Sequence, residues 1–401
     1  MNLAIPQSEH LTGRPILPDR MAERIRRVAE IATRHAADVD RDASFPADAV
    51  AALKRERLLG FLVPVALGGE SASVSDVADL CYALGRACSS AAMVFAMHSV
   101  KVACILRHRR RSPVHDDILR RIATEQLLLA SSTTEGQSGG DVRGSEAAIQ
   151  RRDGTISLTR DASVISYGEQ ADMIVTTARR ANDAAASDQV LVVFSKADYS
   201  LERSQGWDTL GMRGTCSGGF KLIAAGVEDQ ILPVPYASIH KLTMVPTAHL
   251  FWSAVWTGIA AEAVERARRH IRKVQRAQGA PPPAAIHFTR ASGMLRQLRM
   301  LVLGWAARLE AAMDDDEQIG AIDFQTGIHQ LKVDSSELAL TITATAMRAC
   351  GLSGYRNDGD ASIGRLLRDV LSAPIMISND RVLASLAAGA VLPEIPELLR
   401  D

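Results

Sequence analysis

The sequence predicts an α+β chain, mainly helical, in three parts. These are an N-terminal helical domain (residues 1–126), a middle β-barrel-like domain (127–239) and a C-terminal four-helix bundle (240–401). Three observations predict it. Up to about Glu125, apolar residues recur at spacings of three and four, the period of an amphipathic helix. From Leu127 to about Pro235 the chain turns to short runs rich in Val, Ile, Leu and Thr, punctuated by Gly, Asp and Asn, as strands are. From His240 onward long amphipathic runs return with short turns between them, the pattern of a bundle.

In the first part Met21–Ala37, Asp48–Leu59 and Ser75–Ala87 read as helices, and Pro46 suits a first helical turn because its missing N–H costs nothing there. Leu59–Gly69 is apolar but broken by Pro64 and closed by two glycines, so it reads as a crossing loop. A further apolar helix follows Ser89-Ser90 and contains His98, which, like His249 on the first bundle helix, is expected to be a packed core histidine. In the middle part Leu127–Ser132, Thr155–Thr159, Met173–Thr177 and Val190–Phe194 read as strands, with Asn182–Asp188 as a hairpin loop. In the last part the expected helices are Thr247–Gln275, Ala284–Ala312, Ile322–Cys350 and Asn379–Val391.

Composition narrows function. Lys plus Arg equals Asp plus Glu at 46 each, which gives no electrostatic footprint for nucleic acid. No run is read as a membrane span, and MNLAIPQSEH lacks the basic-then-apolar pattern of a signal peptide, so a cytoplasmic protein is expected. The five cysteines are scattered and make neither a disulfide framework nor a zinc pattern.

Five motifs carry chemistry. Phe45-Pro46 is followed by Leu58-Leu59-Gly60, Val63-Pro64 and Gly68-Gly69. Ser132–Val142 (STTEGQSGGDV) is a Gly-rich loop after a strand, where glycines let backbone N–H groups approach a flat ring. Val164-Ile165-Ser166 sets a hydroxyl after two β-branched residues. Leu210–Ser217 (LGMRGTCS) holds Arg213, expected to order its loop or pair with a carboxylate, and Cys216, expected to be a neutral packed thiol. Ala344–Arg381 combines a Gly351-Leu352-Ser353-Gly354-Tyr355 turn, Arg365-Leu366-Leu367-Arg368-Asp369 and an apolar break before a new helix.

In this order the motifs resemble the acyl-CoA dehydrogenase family over nearly the whole chain. The resemblance implies a bound FAD, contacted by Thr134, Gly139, Gly140 and Ser166 around its ring. Gly140 stands where the family has a serine beside the acyl chain. Val164 replaces an aromatic cover, and Tyr167 is either its substitute or an ordinary strand residue. Gly351, with Arg348 near a pyrophosphate, is expected to embrace the adenine half of FAD from another subunit. Arg276 stands for the arginine of the family's RxxFG among the cofactor contacts, and Asn379 and Arg381 are expected near the phosphates, Asn379 alternatively capping the helix it begins and Arg381 alternatively a solvated helix residue. A homodimer or homotetramer is implied.

The family's catalytic glutamate falls on Ile377, and the alternative position on the first bundle helix falls on Ala248; neither accepts a proton. The nearby candidate bases are Asp380 and His249. Three readings follow: α,β-dehydrogenation of an acyl thioester (CoA or carrier protein) with a displaced base, a monooxygenase of the same fold using reduced flavin from a reductase and O2, and a non-catalytic flavin- or acyl-binding homologue.

Overall fold

The computed structural model describes residues 19–135, 143–387 and 391. The N-terminal helices are α1 (Asp19–Arg41), α2 (Ala47–Arg55), α3 (Val74–Ala87), α4 (Ser89–His108) and α5 (Pro113–Glu125). Their starts are written locally. Ser73 and Asp76 form a reciprocal capping box on α3, and Ser112 caps α5 with Pro113 at its first position. The loop from Leu59 to Gly69 holds only a short 3-10 turn, Val65–Leu67.

By length and composition α4 would pass as a membrane span, contrary to the sequence expectation, yet 89% of its apolar window is buried inside the protein. It is a core helix, packed against α3, α5, the first bundle helix and the first strand.

Two sheets follow. In one, β1 (Leu129–Ser132) runs parallel to β4 (Met173–Arg179), which pairs antiparallel with β5 (Gln189–Ser195). The other is antiparallel, in the order β2 (Gln150–Arg152), β3 (Thr155–Ile165), β7 (Gly218–Val227), β6 (Tyr199–Gln205). β4 and β5 are buried on both faces, as their unbroken apolar runs require, whereas β3 alternates. A bridge from Glu135 to Ala162 stitches the sheets together. Strands β2, β6 and β7 were absent from the sequence reading. β6 (YSLERSQ) is polar and exposed, and it is held as a strand by backbone pairing to β7.

After a short α6 (Tyr236–Ile239) and a π-turn, the bundle comprises α7 (Val245–Gln278), α8 (Ala285–Ala312) and, past the five-residue α9 (Asp316–Gly320), α10 (Ile322–Cys350). α11 (Leu352–Tyr355), α12 (Gly364–Val370) and α13 (Asn379–Ala387) complete the described chain. α7 and α10 run parallel: His249 meets Ile328, and Ser253 meets Ser335 at 2.6 Å. The N-terminal helices dock on α7 where α3 crosses it backbone to backbone. A Cβ on Gly85 would lie 2.4 Å from Val255 O, and one on Gly258 would lie 2.3 Å from Tyr82 O.

Candidate functional site

Two polar assemblies flank the segment from Arg368 to Asn379. The first ties the end of β3 to α12. Ser166 Oγ lies 2.8 Å from Ser217 Oγ, which lies 2.7 Å from Thr215 Oγ1, which donates to Met212 O at 2.9 Å. Met212 N–H donates to Asp369 Oδ1 at 2.8 Å. Asp369 is buried, and burial raises its pKa from the ordinary aspartate value, with the Met212 N–H opposing. Arg368 pairs with Asp40 (3.0 Å) and donates to Leu210 O (2.9 Å), while Arg213 holds Asp40 O (2.8 Å) and Thr209 O (3.0 Å). Gly211 permits this docking, because a Cβ there would stand 2.1 Å from Arg368 O. Arg213 therefore orders its loop and also pairs with the Asp208 carboxylate at 3.2 Å. Cys216 is a half-buried thiol whose pKa burial pushes up, so it is a poor nucleophile.

The second assembly lies across the break. Lys332, in mid-α10, is fully buried; its Nζ donates to Ile377 O (2.7 Å) and Asn379 Oδ1 (2.6 Å) and lies 5.9 Å from the centre of the Trp256 ring. Asn379 Nδ2 donates to Ser336 Oγ (3.0 Å) and Glu337 Oε1 (2.8 Å). Burial lowers the Lys332 pKa to about 8, with Glu337 opposing. Ile377 takes a left-handed backbone (φ +50) and leaves 36% of its surface exposed. Lys332 escaped the sequence reading, although a lysine among Ile328, Ser335, Ser336 and Ala339 on one apolar stripe was the available signal. Lys332→Met strips a donor from the Ile377 carbonyl and from the buried Asn379 amide oxygen. It is expected to speed amide exchange at Asn379 and Val382 by roughly tenfold, with exchange in α8 unchanged, in a hydrogen-exchange measurement.

Several expectations are corrected here. Both ends of the Asn379 amide are occupied inside the bundle, so it is neither a free phosphate contact nor the helix cap. α13 is started by Ser378, whose carbonyl accepts from Val382 N–H at 3.0 Å. Of the two readings of His249, core histidine or base, the structure has the first: Nδ1 bonds Ile328 O (3.1 Å), the ring meets His329 edge-on at 4.9 Å, and burial holds its pKa well below 6.5. His249 is turned into the α7–α10 interface because it sits one residue, about 100°, around the helix from Ala248. Asp380 is exposed on the first turn of α13, where it favours the helix dipole. Tyr167 is a core residue, fully buried with its hydroxyl on Leu129 O (3.0 Å), so it covers nothing.

Thr134 is half-buried just after β1, and Glu135 next to it pairs with buried Arg160 at 3.2 Å. Gly139 and Gly140 lie outside the described residues. Because α7 and α10 are parallel, Arg276 and Arg348 share one end of the bundle, roughly 24 Å along α10 from Lys332. Arg276 lines an open groove of about 500 Å³ with Arg268, Arg269, Arg272 and Lys273. Arg348 and Arg381 are exposed, and Gly351 has φ +56, a conformation suited to glycine.

A flavin has a flat, largely apolar ring with polar edges and an anionic phosphate tail. Ser166 with the exposed Val164 two residues before it suits the ring edge and face, the exposed Ile377 is a second apolar surface, and the cationic groove at the far end of the bundle suits the phosphates. Among the described residues no cluster suits a metal ion.

Two family models match the chain: the N-terminal domain of acyl-CoA dehydrogenase over residues 19–124 and its C-terminal domain over residues 249–392. A cyclohex-1-ene-1-carbonyl-CoA dehydrogenase of Geobacter metallireducens is 25% identical, covering 91% of this chain and 96% of its own. The amino sugar nitrososynthase DnmZ of Streptomyces peucetius is 24% identical, covering 84% of each. In fold the chain is similar to FMN-bound TdsC, a dibenzothiophene monooxygenase from Paenibacillus sp. A11-2. The TM-score is 0.83 at 17% identity, covering 94% of this chain and 98% of that one.

Proposed function

The chain belongs to the acyl-CoA dehydrogenase superfamily, and from that premise we propose that it is a flavin-dependent monooxygenase working with reduced flavin and O2. Its cofactor is a flavin, FAD being the usual form in the family. One observation carries the oxygenase reading. The two positions where relatives place the proton-abstracting carboxylate are Ile377 and Ala248, and the side chains named as substitutes turn away, His249 into the bundle and Asp380 to the surface. Abstraction of an α proton needs an acceptor within hydrogen-bond reach. When bound in reduced form, the flavin supplies the two electrons with which O2 places one oxygen atom in the substrate and the other in water.

The chain's own residues then bind and orient. Ser166 and Thr134 meet polar edges of the ring, Val164 and Ile377 give apolar cover, and Lys332 holds the Ile377 peptide in place from behind. Arg276 and Arg348 take phosphate oxygens, serving the cofactor of a second copy in a homo-oligomer. A second reading, dehydrogenation of an acyl thioester on CoA or a carrier protein, is favoured by the 25% identity to a CoA-ester dehydrogenase over nearly the full chain.

One experiment separates them. Protein loaded with FAD is mixed anaerobically with a panel of acyl-CoA esters, and separately with a flavin reductase, O2 and the test substrates. The oxygenase reading expects no bleaching of oxidised flavin by any ester, and oxygen-dependent product in the second arm. Rapid bleaching by an ester would establish the dehydrogenase instead.

A further inference from the structure

The hydroxyls of Thr215, Ser217 and Ser166 form a line whose proton directions are forced. Consecutive oxygens from Met212 O to Ser166 Oγ stand 2.9, 2.7 and 2.8 Å apart. Oxygens this close need a hydrogen between them, and each hydroxyl owns one. The Met212 carbonyl, which also accepts from Trp207 Nε1 and from Thr215 N–H at 3.1 Å each, has none, so the hydrogen between it and Thr215 Oγ1 is the one Thr215 owns. Ser217 must then donate to Thr215, and Ser166 must donate to Ser217. Thr215 and Ser217 are buried, so solvent offers them no alternative partner. The starting point is fixed as well: Met212 has a left-handed backbone (φ +51), and its N–H is held by Asp369 at 2.8 Å. At the other end Ser166 is only half-buried. Its hydrogen is committed inward, and lone pairs are all it has left to offer.

We propose that this relay makes Ser166 an acceptor-only group that selects the reduced flavin, which carries a hydrogen on the ring nitrogen facing it, over the oxidised flavin, which presents a bare lone pair there. This rests on the reading above that Ser166 meets the ring edge. Thr215 and Ser217 are accordingly positioning residues: they touch no cofactor, yet set which way Ser166 bonds. The oxidised ring would place two lone pairs against each other, and one lost or repulsive hydrogen bond changes affinity by about tenfold.

The test is the ratio of dissociation constants for oxidised and anaerobically reduced FAD. It is measured for the wild type, Thr215→Val, Ser217→Ala and Ser166→Ala. In the wild type the reduced form is expected to bind about tenfold more tightly. Thr215→Val frees the Ser217 hydrogen to turn toward Ser166, and Ser217→Ala frees the Ser166 hydrogen directly. Both are expected to bring the ratio close to one, as is Ser166→Ala. A wild-type ratio near one overturns the proposal. So does loss of preference in Ser166→Ala with the wild-type ratio kept in Thr215→Val and Ser217→Ala. If Ser166→Ala leaves both constants unchanged, Ser166 does not meet the flavin, and the placement beneath the proposal falls instead.

Discussion

Gly258→Ala is expected to cost about 3 kcal/mol or more of folding stability, a large share of what a domain has. The new Cβ would stand 2.3 Å from Tyr82 O and 3.0 Å from Arg86 N, both backbone atoms of α3. No rotamer change relieves a clash of backbone with Cβ, so α3 and α7 must part. Gly85, whose own Cβ would meet Val255 O at 2.4 Å, shows that the contact is tight from both sides. Parting the helices loosens Leu84 and Val255, both fully buried at the crossing, and interiors packed to crystal density forfeit contacts steeply with separation. The matching control is Gly293→Ala on α8, where nothing lies within 4 Å and alanine is the better helix former. That variant is expected to gain up to about 1 kcal/mol. Urea unfolding of the three proteins decides it: a Gly258→Ala protein within about 0.5 kcal/mol of wild type would mean the crossing yields freely.

Acid sensitivity is the second large effect, and it centres on His98. Its Nε2 lies 2.8 Å from Leu59 O, and its Nδ1 lies 3.1 Å from Leu129 N. The carbonyl only accepts and the amide N–H only donates, so the neutral tautomer protonated at Nε2 satisfies both. An imidazolium would set two donors against each other at Nδ1. Burial pushes the His98 pKa down to about 4, with the Leu59 carbonyl opposing. The folded pKa lies below the unfolded value near 6.5, so the unfolded chain takes the proton first as pH falls. The contribution of His98 is therefore complete above about pH 6.5, declines as the pH drops to about 4, and levels off below. The loss over that window is on the order of 3 kcal/mol. His108, at 2.7 Å from Thr243 Oγ1 and also held near 4 by burial, adds to the slope. In His98→Gln an amide can donate to Leu59 and accept from Leu129 without titrating. Stability of that variant is expected to fall about 3 kcal/mol less than wild type between pH 6.5 and 4. Parallel pH profiles for the two proteins would remove His98 as the cause.

Much of the architecture was legible because it depends on local period. Ile322–Cys350 is one helix with the expected limits, since its 3.6-residue pattern runs unbroken to Gly351, whose positive φ ends it. β4 and β5 were legible as continuous apolar runs. β6 was not: its residues are polar, and only the unpaired backbone of β7 beside it makes a strand there. His98 was readable as a core histidine, but the joint it makes between the crossing loop and β1 depends on residues distant in the chain.

The site divides along the same line. Which side chains are available is a property of the sequence, and the loss of the carboxylate at Ile377 and Ala248 needed no coordinates. What the remaining residues do is set by direction and burial, which a linear pattern does not encode. Asn379 looked like a phosphate contact until Lys332, 47 positions earlier, was found bonded to its amide. His249 read in sequence as either a core histidine or a base, and its ring, bonded to Ile328 O inside the bundle, is the first of these. Ser166 was legible, through the resemblance, as a hydroxyl at the ring edge. Its restriction to accepting arises only where Ser217, 51 positions away, is folded to within 2.8 Å and each shared hydrogen is already assigned.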